Sequence, residues 1–225
     1  MSMMTLYHGS DKIVERPALG KGKAYNDYGQ GFYCTAHREL ACEWASKNSG
    51  IDGFVNEYEL NVTGLAELDL TQYSILHWMA MLVRHRTFTL TSEISKDAKD
   101  YLLENFSIDA SGYDIISGYR ADDSYFSFAG DFLNNTISVQ HLARAMTLGE
   151  LGIQHVLVSE KAFGQLEFVR ADVASSKDYY PLYIKRDRAA REQYKKSKTD
   201  LRISRDDVFI LDLIRGNVDY GDIRL

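Results

Sequence analysis

Short apolar runs with a period of two alternate along this chain with longer stretches of helical period, and that alternation most limits the fold. Residues 4–8 (Met-Thr-Leu-Tyr-His), 31–35, 54–62, 113–117 and 154–159 read as strands. Between them, residues 36–48 set Leu40, Ala41, Trp44 and Ala45 on one helical face, and residues 75–86 do the same with Leu76, Met79, Ala80 and Val83. Further helices are expected over 96–105, 137–151 and 160–164, and a last strand or helix over 209–214. The order of elements implies an α+β protein. At 225 residues, 45% of them apolar, the chain has enough material for one packed core, which excludes a wholly disordered reading. The expected division is a main domain over 1–184 and a basic helical segment with a C-terminal tail, 185–225, packing on that same domain.

The segment 185–205 stands apart in charge. It holds nine Lys or Arg against three acids, so it carries +6 in a chain whose net charge is −6. It reads as a solvated amphipathic helix, or more sharply as a docking surface for nucleic acid or an acidic partner. The acidic remainder argues against charge-driven nucleic-acid binding by the whole molecule. Cys34 and Cys42 flank the start of the expected 36–48 helix and read as free thiols, which fits a reducing cytoplasm. With no basic leader into an apolar run and no apolar stretch near the ~18 residues a span requires, neither secretion nor a membrane span is expected.

Three stretches carry the chemistry: Leu6-Tyr7-His8-Gly9-Ser10, then Asp27-Tyr28-Gly29-Gln30-Gly31-Phe32-Tyr33-Cys34-Thr35, then Ile153-Gln154-His155-Val156-Leu157-Val158. In that order they resemble the NAD-binding core of ADP-ribosyltransferases of the diphtheria-toxin and poly-ADP-ribose-polymerase type, and most closely the domain of unknown function 3990 family. The resemblance implies a split antiparallel β-sheet with helical insertions, presenting His, Tyr and a third residue from three strands. The third residue is Gln154, where the polymerase group has Glu. It further implies that His8 bonds a ribose hydroxyl of NAD, that Gly9 meets the carboxamide with its backbone N–H and C=O, that Ser10 belongs to the cofactor-binding set, and that Tyr33 stacks on nicotinamide. Gly29 and Gly31 turn the chain sharply against the cofactor, Tyr25 or Tyr28 closes the other face, and Arg120 holds the pyrophosphate, since a guanidinium fork matches phosphate oxygens.

Cleaving the bond between ribose and nicotinamide needs a held conformer and stabilisation of an oxocarbenium-like ribose, because nicotinamide leaves neutral. Gln154 can donate a hydrogen bond but cannot take a proton or offset positive charge. Either the acceptor brings its own good nucleophile, or another acid supplies the charge, in which case Asp122 or Asp123, at a strand exit, is the expected substitute. Asp27 reads as orienting the glycine loop. Asn56-Glu57-Tyr58 matches the polymerase letters Asn-Glu-Tyr but falls on the third strand and reads as structural, while Glu167 falls too late. The six His show no metal-ligand spacing, so no metal is expected. His155 alternates away from Gln154.

The function implied is a mono-ADP-ribosyltransferase that uses NAD as substrate, modifies a protein or nucleic acid, and stops at one unit. The resemblance implies a bacterial cytoplasmic toxin or anti-phage effector with a small antitoxin as partner. The alternatives are an NAD glycohydrolase and a weakened module that only binds NAD or ADP-ribose.

Overall fold

The computed structural model describes residues 2–121, 123–148, 152–199 and 206–217. Seven strands form one sheet: β1 (Met3–Ser10), β2 (Phe32–Thr35), β3 (Gly53–Asn61), β4 (Glu67–Asp69), β5 (Ile115–Tyr119), β6 (Ile153–Leu157) and β7 (Leu166–Ala174), in the order β4-β5-β6-β2-β1-β3-β7. The helices are α1 (Arg38–Ala45), α2 (Ile75–His85), α3 (Glu93–Asn105), α4 (Asp123–Leu133), α5 (Val139–Ala145), α6 (Glu160–Gly164), α7 (Ser176–Thr199) and α8 (Ile210–Ile214). The protein is thus α+β. Its sheet is mixed rather than wholly antiparallel, because β4 and β5 run parallel. A parallel neighbour needs a crossover, and α2 and α3 supply it.

Pairing along the sheet is uneven. β1 and β3 pair over eight positions, Met3 with Asn61 through Ser10 with Phe54, whereas β1 and β2 pair only at Tyr7 with Thr35. The sheet is therefore two well-paired parts, β4-β5-β6-β2 and β1-β3-β7, joined at that single pair. Side-chain alternation sends Ile116 and Val156 into a core built with α2, α3, α4, α5 and α8, and sends Ile115 and Leu157 to the other face against Ala162 of α6. Gln154, two residues before Val156, shares the first face. His155 takes the second, as its alternation implied, where its Nδ1 lies 2.8 Å from Ser117 Oγ.

α2 is buried well beyond the one stripe expected, with Trp78 and Leu82 as inaccessible as Leu76 and Met79, and only Arg84 among its residues exposed. It has α3, α5 and the sheet around it, so it is a core helix. The basic segment is helical but starts earlier than expected, at Ser176, and includes Pro181. Arg186, Ala190 and Tyr194, spaced by four, form its inner face. Arg186 reaches Glu43 of α1 with Nε to Oε2 at 2.9 Å, and Tyr194 stacks on Phe128 of α4 at 3.7 Å between ring centroids. Asp200, Arg202 and Arg205 lie outside the described residues. The 209–214 stretch is helical rather than extended, as α8. Cys34 and Cys42 are free and buried. No described helix is long and apolar enough to cross a membrane.

Candidate functional site

Beside the junction of β1 and β2, a cavity of about 810 Å³ opens. His8, Gly9 and Ser10 from the end of β1, Gly31 just before β2 and Tyr33 within it, Gln154 from β6 and Arg120 from the exit of β5 all line it. Among the described residues, seven Lys or Arg side chains border the cavity against two Asp, in a protein of net charge −6. That cationic surplus suits a phosphorylated ligand.

His8 bridges the junction directly. Its Nδ1 sits 2.7 Å from the Tyr33 carbonyl oxygen, which can only accept, so Nδ1 carries the proton and Nε2 remains an acceptor. Burial lowers the His8 pKa below 6.5, with the Tyr33 carbonyl and Asp11 opposing, and keeps the ring neutral at physiological pH. The Tyr33 hydroxyl donates to the Gly29 carbonyl at 2.7 Å and accepts from the Tyr28 N–H at 3.0 Å. This fixes the glycine loop and leaves the ring on the cavity wall; burial pushes its phenol pKa upward. Arg120 lies with its guanidinium carbon 4.0 Å from the centroid of the Trp44 ring, an arrangement that holds the cation in place at the cavity wall.

The wall opposite β2 is the Lys12–Val14 stretch, and β3 holds it. Asn56, fully buried, accepts from the Val14 N–H at 2.8 Å through Oδ1, and directs Nδ2 at Ser10 Oγ (3.1 Å) and the carbonyls of His8 (3.2 Å) and Lys12 (3.3 Å). Tyr58 donates to the Val14 carbonyl. The neighbouring Glu57 points away and pairs with Arg170. The Asn-Glu-Tyr triplet is therefore structural, as its position on the third strand implied. Glu167 lies exposed on β7.

Several expected residues do other work. Tyr28 is buried at 3% exposure, donates to the Tyr119 carbonyl and accepts from Trp78 Nε1, so it belongs to the core and does not line the cavity. Tyr25 is 78% exposed and outside the cavity. Gly29 sits behind the cavity with φ +79°, beneath the His85 ring. Gly9 lacks a side chain because α1 lies against it: a Cβ there would stand 2.0 Å from the Ala41 carbonyl oxygen. Gly31 presses similarly on Val156. Asp122 lies outside the described residues. Asp123 begins α4, and nothing further of it is described.

Among the described residues, the carboxylate beside Gln154 is Asp27. It is 4% exposed, and its Oδ2 accepts from the Ala121 N–H at 2.9 Å and from Gln154 Nε2 at 3.1 Å. Its Oδ1 is buried with no hydrogen bond, while Arg86 Nη1, at the end of α2, lies 3.4 Å away. Gln154 Nε2 also donates to the Tyr119 carbonyl at 3.2 Å, so the amide protons are committed and Oε1 is the atom left for a ligand. Burial raises the Asp27 pKa, opposed by Ala121, Gln154, Arg86 and Arg120. The sequence offered a signal for Asp27, an acid immediately before the glycine block, but its partners lie far along the chain.

Fold and site together define an α+β protein with a cationic cavity beside the β1–β2 junction of its mixed sheet. The family described as protein of unknown function (DUF3990) has a model that matches residues 4–168, most of the chain, and the chain belongs to that family. No curated protein and no solved structure matches the chain. Among the described residues no cluster of His, Cys, Asp and Glu could hold a metal.

Proposed function

We propose that the protein is an NAD-dependent mono-ADP-ribosyltransferase, with β4-β5-β6-β2 and β1-β3-β7 as the two parts of an ADP-ribosyltransferase-like split sheet. The observation that carries this reading is the meeting of His8, Tyr33 and Gln154, from three strands distant in sequence, in one cavity of about 810 Å³. That volume suits a dinucleotide. His8 Nε2 accepts from a ribose hydroxyl, the Tyr33 ring stacks on nicotinamide, and Arg120 meets the pyrophosphate. Nicotinamide leaves with the bonding pair, and the ribosyl cation is captured by a nucleophile on a macromolecule, protein or nucleic acid. A bacterial toxin or anti-phage effector held by an antitoxin is the setting that goes with this reading.

The test is incubation of the purified protein with cell extract and NAD labelled on its adenine side, followed by separate nuclease and protease digestion. The proposal expects free nicotinamide and label on a macromolecule sensitive to one digestion. Nicotinamide release without a labelled macromolecule assigns water as the acceptor. Neither product overturns the proposal.

A further inference from the structure

We propose that Asp27 supplies the negative charge which the third strand lacks, standing behind Gln154 and stabilising the ribosyl cation formed in the cavity. The inference rests on the NAD-cleaving reading above and deepens it by assigning the carboxylate to a residue outside the three-strand motif. Asp27 is a positioning and electrostatic residue: it orients the Gln154 amide, and its charge acts through that amide on the reacting ribose.

The geometry separates this role from loop capping. A capping Asp satisfies backbone N–H groups, and Asp27 has one such partner, Ala121. Its second contact through the same oxygen is Gln154, the side chain that occupies the motif position. Its other oxygen is buried without a hydrogen bond and has the Arg86 guanidinium at 3.4 Å as its charge partner, so the carboxylate is held among charged and polar side chains rather than spent on capping. The structure also invests in holding Asp27 there. The adjacent Tyr28 is locked in the core by Tyr119 and Trp78, and a Cβ on Gly118 would meet the Tyr28 hydroxyl at 2.5 Å. Three segments thus converge on one carboxylate: the glycine loop, the exit of β5 and the start of β6.

In the step proposed, the bond from ribose C1′ to the pyridinium nitrogen breaks and its electron pair passes to the ring, so nicotinamide leaves neutral. C1′ becomes cationic and bonds the acceptor oxygen or nitrogen, and the acceptor's proton passes to solvent. Asp27 remains ionised throughout. With water as acceptor, NAD and water give ADP-ribose, nicotinamide and one proton.

The groups facing Asp27 are Gln154 of β6, Arg120 and the Ala121 N–H after β5, Arg86 after α2, and Tyr28 and Tyr33 of its own stretch. Nicotinamide release should therefore rise as pH climbs through the raised pKa of Asp27, and removing Arg86 should move that limb to higher pH. His8, which also titrates in the cavity, faces the Tyr33 carbonyl and Asp11 rather than Arg86.

The experiment measures NAD affinity, melting temperature and the pH profile of nicotinamide release for the unaltered protein, Asp27→Asn and Arg86→Gln. Expected for Asp27→Asn is NAD affinity within about threefold and release slower on the order of a hundredfold, the range of a lost transition-state charge contact. Expected for Arg86→Gln is an acidic limb displaced to higher pH. Release by Asp27→Asn within about threefold of the unaltered rate overturns the assignment. If Asp27→Asn does not fold, Arg86→Gln decides, and an unmoved limb overturns it. NAD binding without release by the unaltered protein overturns the role of Asp27 alone. Neither binding nor release overturns the NAD reading as well.

Discussion

Asn56→Ala offers a sharp test of how β3 shapes the cavity, because its neighbour Glu57 provides an internal contrast. Asn56 is fully buried, and its carboxamide is the hub of the Ser10–Val14 wall. Its Nδ2 has three acceptors in reach for two protons, so at most two of those contacts are full hydrogen bonds, and the Val14 N–H adds a third. At about 1 kcal/mol net for each, with the Val14 N–H left unsatisfied, the loss is about 3 kcal/mol. For a chain of this size that corresponds to a fall in melting temperature of roughly 6–12 °C. Thermal unfolding followed by circular dichroism reads it, and the thermal protection given by NAD should shrink in parallel because the wall is released. Glu57→Ala should leave both the melting temperature and nicotinamide release nearly unchanged, since its pair with Arg170 is solvent-screened. A loss under about 0.5 kcal/mol for Asn56→Ala refutes the anchoring role. Abolished release in a folded Glu57→Ala protein refutes the reading of the triplet as structural.

Gly9→Ala should be more damaging than its size suggests, by about 3 kcal/mol or more, because the new Cβ meets the Ala41 carbonyl oxygen of α1 at 2.0 Å; urea denaturation checks it, and a neutral result would mean that α1 moves away freely. Tyr33→Ala should abolish nicotinamide release, whereas Tyr33→Phe should keep the stacking ring, retain measurable release and lose about 1–2 kcal/mol of stability as the Gly29 carbonyl and Tyr28 N–H lose their partner; full turnover by Tyr33→Ala removes the ring from the site. His8, His77, His85, His141 and His155 all have pKa values lowered by burial from 6.5, so the unfolded chain binds more protons than the folded one below that pH. Stability should therefore be full above pH 6.5 and fall as pH drops below it. A melting temperature as high at pH 5.5 as at 7.5 would contradict that sum.

Local pattern carried a good part of the fold and the motif half of the site. The strand holding His8, the strand holding Tyr33 and the strand holding Gln154 each lie where their alternation and flanking glycines implied, because those signals act within a few residues. β4, β7 and α4 went unread: β4 spans only Glu67–Asp69, too short to show a period, β7 (Leu166–Ala174) buries only Ala174 fully and so lacks a clean apolar face, and the Asp122-Asp123 pair ahead of the α4 apolar run reads as readily as a carboxylate source as a helix start. Asp27 was visible but its role was not, since Gln154 and Ala121 reach it across roughly a hundred residues and sequence spacing says nothing about such contacts. Tyr28 misled for a related reason. An aromatic beside a glycine block looks available to a ligand, and only the packing of Trp78 and Tyr119 shows that its hydroxyl is already satisfied internally.

The most direct measurement is a crystal structure with a non-hydrolysable NAD analogue. The account predicts the nicotinamide ring against Tyr33, a ribose hydroxyl within hydrogen-bond reach of His8 Nε2 and the pyrophosphate beside Arg120. An analogue bound elsewhere on the surface, or a cavity that stays vacant at saturating concentration, would contradict it.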